Sequence, residues 1–287
     1  MRARVWGARG SIPTPGPETA RYGGNTSCVQ VELADGTMLV LDAGTGIRPL
    51  GLTLPAPEQP LHILLTHLHL DHIQGLMFFA PMFNPDAEVV IWGPAASEAP
   101  LRERIGRYLS APLTPVEIRE LPCEVSFREC ESTEFSIGGA TVRAGSVTHR
   151  GPTLGYRIEE DGVALAYIPD HEPALGAPLD ALGDEWISGL DIARDADLLI
   201  HDAQYTDAEY PNHLGWGHSS VSDALRFAGR AHARRLIAFH HDPQHTDEDL
   251  DAMAEAAREQ WIDVGGDPGA LEFATESTEL RPAPAPA

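Results

Sequence analysis

The stretch Leu61-His62-Ile63-Leu64-Leu65-Thr66-His67-Leu68-His69-Leu70-Asp71-His72 changes character halfway along. Its first half is a short apolar, β-prone run that ends at Thr66. Its second half places four metal-ligand side chains (His67, His69, Asp71 and His72) within six residues. Histidines at i and i+2 leaving a strand can converge on one ion, while Asp71 and His72 on the following turn can face a second. Imidazole and carboxylate are the ligands that zinc, manganese and iron accept. A solvated polar turn would account for one such pair, but not for four ligands set between an apolar strand and an apolar segment with a helical pattern.

Outward from this stretch, short strands alternate with turns and helices. Arg2 to Trp6 reads as a strand, followed by a Gly/Pro/Ser/Thr-rich loop from about Gly7 to Ser27. Cys28 to Leu33 and Thr37 to Leu41 bracket Asp35-Gly36, a hairpin signal. Gln74 to Phe83 is expected to be helical, Val89 to Trp92 a strand, and Pro94 to Leu109 a helix. Val125 to Ser136 and Ala140 to Val147 read as more sheet, and Leu154 to Ile158 pairs with Val163 to Ile168 around Glu160-Asp161-Gly162. Leu198 to His201 is a buried strand, Ser220 to Ala233 a helix and Leu236 to Phe239 another strand. Asp247 to Gln260 is an amphipathic helix opened by Thr246 as N-cap. The order predicts an α/β (α+β) fold of two sheets covered by helices, a single domain over residues 1–280. Residues 281–287 form a low-complexity Pro/Ala tail expected to be mobile.

Composition removes several function classes. The chain has 287 residues, 43% hydrophobic and 22% charged, as in an ordinary soluble protein. All 20 basic residues are arginines, so a Walker-type phosphate loop and a Schiff-base enzyme, which need a lysine, are excluded. The lysine deficit itself carries no functional reading. A formal charge of −23 repels long nucleic acids and admits one only through a local patch or bound metal. The apolar runs are too short to span a bilayer, and no export signal opens the chain, so a cytoplasmic location without membrane attachment is expected. Cys28, Cys123 and Cys130 show no metal-ligand spacing. Cys123 and Cys130 could meet across a hairpin, but reduced thiols are the better reading.

The motif His67-x-His69-x-Asp71-His72 resembles the signature of the metallo-β-lactamase superfamily. The resemblance implies an αββα sandwich of two mixed sheets, with a dinuclear metal site at one edge. The remaining ligands should follow as a His, a bridging Asp and a last His, and His149, Asp170 and His240 each come just after a candidate strand in that order. His149 with Gly155-Tyr156-Arg157-Ile158 is similar to the ribonuclease Z branch. Gly217-His218-Ser219-Ser220 and His201-Asp202-Ala203-Gln204 resemble that branch's G-H-S-T and H-E-A-T motifs. Gly10-Ser11-Ile12-Pro13-Thr14-Pro15-Gly16-Pro17 and Phe239-His240-His241-Asp242-Pro243 match a bacterial branch of the superfamily. There is one departure. The members that process transfer RNA carry a long arm between the third histidine and the bridging aspartate, whereas His149 and Asp170 are 21 residues apart (170 − 149). Together with the acidic charge, this speaks against a dedicated transfer-RNA processor.

The resemblance implies that His67, His69 and His149 hold one ion and Asp71, His72 and His240 the other, bridged by Asp170. Two divalent ions are implied, with zinc favoured and manganese or iron open, and with a metal-bridging hydroxide as the attacking group. His218, oriented by Asp202, is the candidate acid for the leaving oxygen, and Asp71 counts among the catalytic groups as well as the ligands. His201, His241 and Trp216 are candidate substrate contacts. His201 could equally be a hydrogen-bonded histidine beneath the site, and His241 is the alternative last ligand. His171 reads as a surface residue rather than a substrate contact, and Asp42 as a group that orients a metal histidine. His62, His213, His232 and His245 have no company that argues ligation. The function expected is a phosphodiesterase acting on a small substrate such as a cyclic nucleotide or short oligonucleotide. The rivals are a hydrolase of esters, thioesters or lactones and a metal-binding regulatory protein without turnover. A homodimer is left open.

Overall fold

The chain completes most of one sheet before it starts the other. The computed structural model describes residues 1–55 and 58–283, so residues 284–287 of the expected tail lie outside the described residues. The first part runs β1 (Arg2–Gly7), β2 (Cys28–Glu32), β3 (Met38–Leu41), α1 (Ile47–Thr53), β4 (Leu61–Leu64), α2 (Leu70–Ile73), β5 (Glu88–Pro94), α3 (Leu101–Tyr108) and β6 (Glu124–Cys130). The second runs β7 (Thr133–Ile137), β8 (Ala140–Ser146), β9 (Leu154–Glu160), β10 (Val163–Ile168), α4 (Leu190–Ala193), β11 (Leu198–Asp202), α5 (Val221–Arg230), β12 (Leu236–Phe239), α6 (Asp247–Asp263), β13 (Leu271–Phe273) and β14 (Glu279–Leu280). The first sheet has the order β14-β1-β2-β3-β4-β5-β6 and the second β13-β12-β11-β10-β9-β8-β7. The last strand thus returns to the first, pairing Leu280 with Ala3.

Side-chain alternation explains the layering. Leu39 and Leu41 of β3 face the other sheet while Val40 faces outward, and Leu165 and Tyr167 of β10 face inward while Ala166 and Ile168 face outward. All are fully buried, because α1 and α3 cover the outer face of the first sheet and α4, α5 and α6 that of the second. Strands covered on both faces are apolar without a break. The result is the expected αββα sandwich of two mixed sheets. At the start of α6 the Thr246 hydroxyl accepts from the Asp249 N–H while the Asp249 carboxylate accepts from the Thr246 N–H, a reciprocal cap. Among the described residues no helix is long and apolar enough to cross a membrane.

Two local expectations fail, and the cysteines are reduced as expected. Gln74 to Phe83 is not one helix: α2 ends at Ile73, and two 3₁₀ turns follow at Leu76–Phe78 and Ala80–Phe83. Phe79 between them is extended, and Pro81 cannot donate the backbone bond that a continuous helix would need there. Pro94 to Leu109 is a strand end followed by a shorter helix, since Pro94 still pairs with Cys130 and α3 begins only after Pro100. Cys123 and Cys130 do not meet across a hairpin. They flank the single strand β6, about 23 Å apart at ~3.3 Å per residue, with Cys123 in the outer apolar layer and Cys130 between the sheets. All three cysteines are free and buried, and burial pushes the Cys130 thiol up to about 11.

Candidate metal centre

Strand direction gathers the site. β3 and β4 run parallel in the first sheet, and β8, β10, β11 and β12 run the same way in the second. Asp42 follows β3, His67 to His72 follow β4, His149 follows β8, Asp170 follows β10, Asp202 ends β11 and His240 follows β12. Each side chain therefore leaves at the carboxyl end of its strand, where loops are free to carry polar groups.

Asp170 sits at the middle. One carboxylate oxygen, Oδ2, lies 3.7 Å from Nε2 of both His67 and His149. The other, Oδ1, lies 3.0 Å from His72 Nε2 and 3.3 Å from His240 Nε2. Asp71 Oδ2 closes the second group, 3.3 Å from Nε2 of His72 and of His240. His69 joins the first, its Nδ1 3.2 Å from His149 Nε2. His67, His69 and His149 thus form one nest of ligand atoms, and Asp71, His72, Asp170 and His240 the other. The second nest is wholly buried, whereas the first opens to solvent at His69.

The donor set fits divalent ions. His67 Nε2, His72 Nε2 and Asp170 Oδ1 are buried without a hydrogen-bond partner, although His72 Nε2 and Asp170 Oδ1 approach to 3.0 Å. Buried polar atoms left so are costly, and a cation in each nest would satisfy them.

The far side of each ring is held. His72 Nδ1 donates to Asp42 Oδ2 at 2.8 Å, His149 Nδ1 to the Gly217 carbonyl at 2.7 Å, His240 Nδ1 to Gln204 Oε1 at 2.9 Å, and His67 Nδ1 to Thr66 Oγ1 at 3.1 Å. These bonds fix the tautomer that leaves Nε2 bare toward the centre. Asp42 is itself fixed by the Thr66 N–H at 2.7 Å and the Tyr167 hydroxyl at 2.9 Å. Gln204 and Tyr167 carry no sequence signal of this role, because Gln204 supports a ligand that follows another strand and Tyr167 supports Asp42 from the other sheet.

The backbone is bent to the site. Asp42 and His240 have φ of 58° and 62°, and Ser11, whose N–H donates to Asp71 Oδ2 at 2.8 Å, has 60°. Left-handed non-glycine residues cost roughly 1–3 kcal/mol each and persist where surroundings enforce them. Gly10 lies against the His240 imidazole so closely that a Cβ there would overlap the ring. Gly10→Ala is expected to displace His240 and lower metal content from about two ions per chain to about one; elemental analysis that still finds two would show that the ring has room to move.

Charge balance gives a second expectation. Burial opposes a proton on His72 and His240, but Asp170 and Asp71 beside both, with Asp42 adding to His72, outweigh it. His240 is raised to about 9 and His72 well above the ordinary imidazole value. Burial also opposes the Asp170 charge, yet His240 and His72 hold its pKa well below the carboxylate range. At neutral pH the metal-free protein therefore keeps both histidines protonated, and an ion must displace those protons. Metal uptake should release about two protons, one from each histidine, and affinity should climb with pH up to about 9. Titration calorimetry in phosphate and in Tris measures the release; a heat independent of buffer would contradict it.

The candidate acid lies beside the nests. His218 Nδ1 donates to Asp202 Oδ2 at 2.7 Å and stands 4.0 Å from Asp170 Oδ2. Asp202 also accepts backbone N–H bonds from His171 and Gln204 at 3.0 Å and Ser219 at 3.3 Å. Other candidates are placed elsewhere. His241, next to His240, faces away, bonds the Ala274 carbonyl at 2.8 Å and stacks on Phe273. His201 is fully buried against Phe227 and bonds His171 at 2.9 Å. Both are buried, His201 against the apolar layer outside the second sheet and His241 against Phe273. His171 is buried with His201 rather than on the surface. Trp216 is 53% exposed near His218. Glu172 and Arg9 were not singled out by sequence. Buried Arg9 bonds the carbonyls of Gly23, Asp242 and His245, tying the loop that carries Gly10 and Ser11 to the segment after His240.

The model of the Beta-lactamase superfamily domain matches residues 37–241. Ribonuclease Z of Haloferax volcanii is 26% identical over 301 residues, covering 90% of each chain. Human tRNase Z, short form, superposes with a TM-score of 0.68 at 21% identity, covering 99% of this chain and 100% of that one. A diphosphatase of the PhnP family also reaches 0.68, at 18% identity, covering 98% and 97%. With two such sheets, this ligand edge and a family model spanning most of its length, the chain belongs to the metallo-β-lactamase superfamily.

Proposed function

We propose that this protein is a dinuclear metal-dependent phosphodiesterase. The reading rests above all on Asp170, whose two oxygens face two separate nests of imidazoles. His67, His69 and His149 would hold one ion, Asp71, His72 and His240 the other, and Asp170 would bridge them. Five imidazoles and two carboxylates suit zinc, with manganese and iron as alternatives. Bound together, two such ions acidify a shared water and offset charge on the attacking and leaving oxygens of an in-line displacement.

The chain's own groups do the rest. Asp42, Thr66 and Tyr167 keep His72 and His67 in one tautomer and orientation. The opening at His69 is the side from which a substrate can approach. His218 is the group placed to give a proton from Nε2 to the leaving oxygen, since Asp202 holds Nδ1–H and stabilises the ring when it is charged.

A small substrate is supported by the −23 charge and by the interval between His149 and Asp170, which the β9–β10 hairpin fills. The relative named Ribonuclease Z keeps short RNA among the phosphodiesters to be tried. The test is turnover of bis-p-nitrophenyl phosphate, cyclic nucleotides and short oligonucleotides by metal-loaded and chelated protein. Metal-dependent turnover of at least one supports the reading; ester, thioester or lactone turnover with every phosphodiester inert would replace it.

A further inference from the structure

Trp216 stands in a loop that is held from below. The buried Glu172 carboxylate accepts the Tyr210 hydroxyl and the Gly215 N–H at 2.9 Å, and the Gly217 N–H at 2.8 Å. Gly215 and Gly217 have φ of 76° and 93°, so the chain turns sharply on either side of the indole. The ring meets His213 edge-on at 5.0 Å, and His213 stacks on buried Tyr205 at 4.2 Å. Trp216 is thereby pinned at its backbone and along one side while remaining 53% exposed.

The same loop reaches the metal centre and a cation. The Gly217 carbonyl accepts His149 Nδ1–H at 2.7 Å, and the Gly215 carbonyl accepts Arg150 Nε–H at 3.1 Å. That bond leaves the terminal nitrogens of Arg150 on the exposed rim. Among the described residues no carboxylate pairs with this exposed guanidinium, as with several other arginines of the chain; what sets Arg150 apart is its place beside the ligand His149. An anchored indole and an unpaired guanidinium, both fixed by the loop that orients His149, are the two groups that recognise a base and a phosphate.

We propose that Trp216 and Arg150 form a nucleotide-recognition subsite, with the indole stacked on the base of the nucleoside beside the scissile phosphate and Arg150 bonding a phosphate oxygen. The proposal rests on the phosphodiesterase reading and narrows its substrates to nucleoside phosphodiesters with an unpaired base. Glu172 is the positioning residue of this loop.

The test compares thymidine 5′-(p-nitrophenyl phosphate) with methyl p-nitrophenyl phosphate, which share a leaving group and differ in the nucleoside. Trp216→Ala should lower the ratio of kcat/KM for the first over the second by about tenfold or more, chiefly through KM, as loss of a stacked base does. Trp216→Phe should restore most of it, and Arg150→Gln should raise KM for both. A ratio that Trp216→Ala leaves unchanged overturns the proposal. Calorimetric binding separates it from the reading beneath it. Wild type should bind thymidine 5′-monophosphate about tenfold tighter than ribose 5-phosphate, a preference lost in Trp216→Ala. Equal binding by wild type overturns the subsite even if the methyl ester is cleaved. The preference without turnover of either ester supports the subsite and removes the phosphodiesterase reading.

Discussion

Asp170→Ala is expected to cost about 10³–10⁵-fold in phosphodiester turnover, roughly 4–7 kcal/mol of barrier. Its carboxylate is the one group shared by both nests, with oxygens 3.0 to 3.7 Å from four imidazole nitrogens. Without it the first nest has no anion and the second keeps only Asp71, and two ions would face each other with no carboxylate between them. Metal content should fall with activity. Asp170→Asn, which keeps the shape but lacks the charge, should fail almost as completely, and circular dichroism would show that it folds. His69→Ala offers a contrast, since His69 belongs to the open nest alone; activity should be abolished and metal content lowered by about one ion. Asp170→Asn with two ions and ordinary turnover would remove Asp170 from its bridging role.

His218→Ala should leave metal content at its wild-type value and slow turnover about 10²–10⁴-fold, the usual worth of a positioned acid. The loss should be large for a nucleoside alkoxide, which must be protonated as it leaves, and small for p-nitrophenolate, which is stable as an anion. His218 also lies near enough to Asp170 to be weighed as a ligand. Metal analysis separates the roles: loss of an ion in His218→Ala would make it a ligand, and full activity across pH would give it neither role.

The chemistry that the sequence announces is local, and the structure adds what comes from across the fold. The four ligands between His67 and His72 are visible because strand, turn and ligands adjoin, and the hairpins at Asp35-Gly36 and Asp161-Gly162 are visible in the same way. His149, Asp170 and His240 could be picked out only through family resemblance, since nothing in their own neighbourhoods says which loop reaches which. The supporting shell was hidden further. Gln204 holds His240 from 36 residues away and Tyr167 holds Asp42 from 125 away, and such partners follow from strand order within a sheet and from the packing of one sheet on the other. Of the two readings open for His201 the structure favours the hydrogen-bonded histidine beneath the site, and of the adjacent His240 and His241 it is His240 that faces the nests while His241 bonds the Ala274 carbonyl. The broken helix from Gln74 to Phe83 shows the converse, where Pro81 and the loop packed beneath Gly44 and Gly75 override an apolar pattern.

The central claim is that this edge holds two ions. Elemental analysis of the purified protein, before and after chelation and again after readdition of zinc, manganese or iron, tests it most directly. About two ions per chain are expected, one for each nest, lost with phosphodiester turnover on chelation and regained with it. One ion or none after every metal is offered would contradict it and leave a binding protein in place of the enzyme.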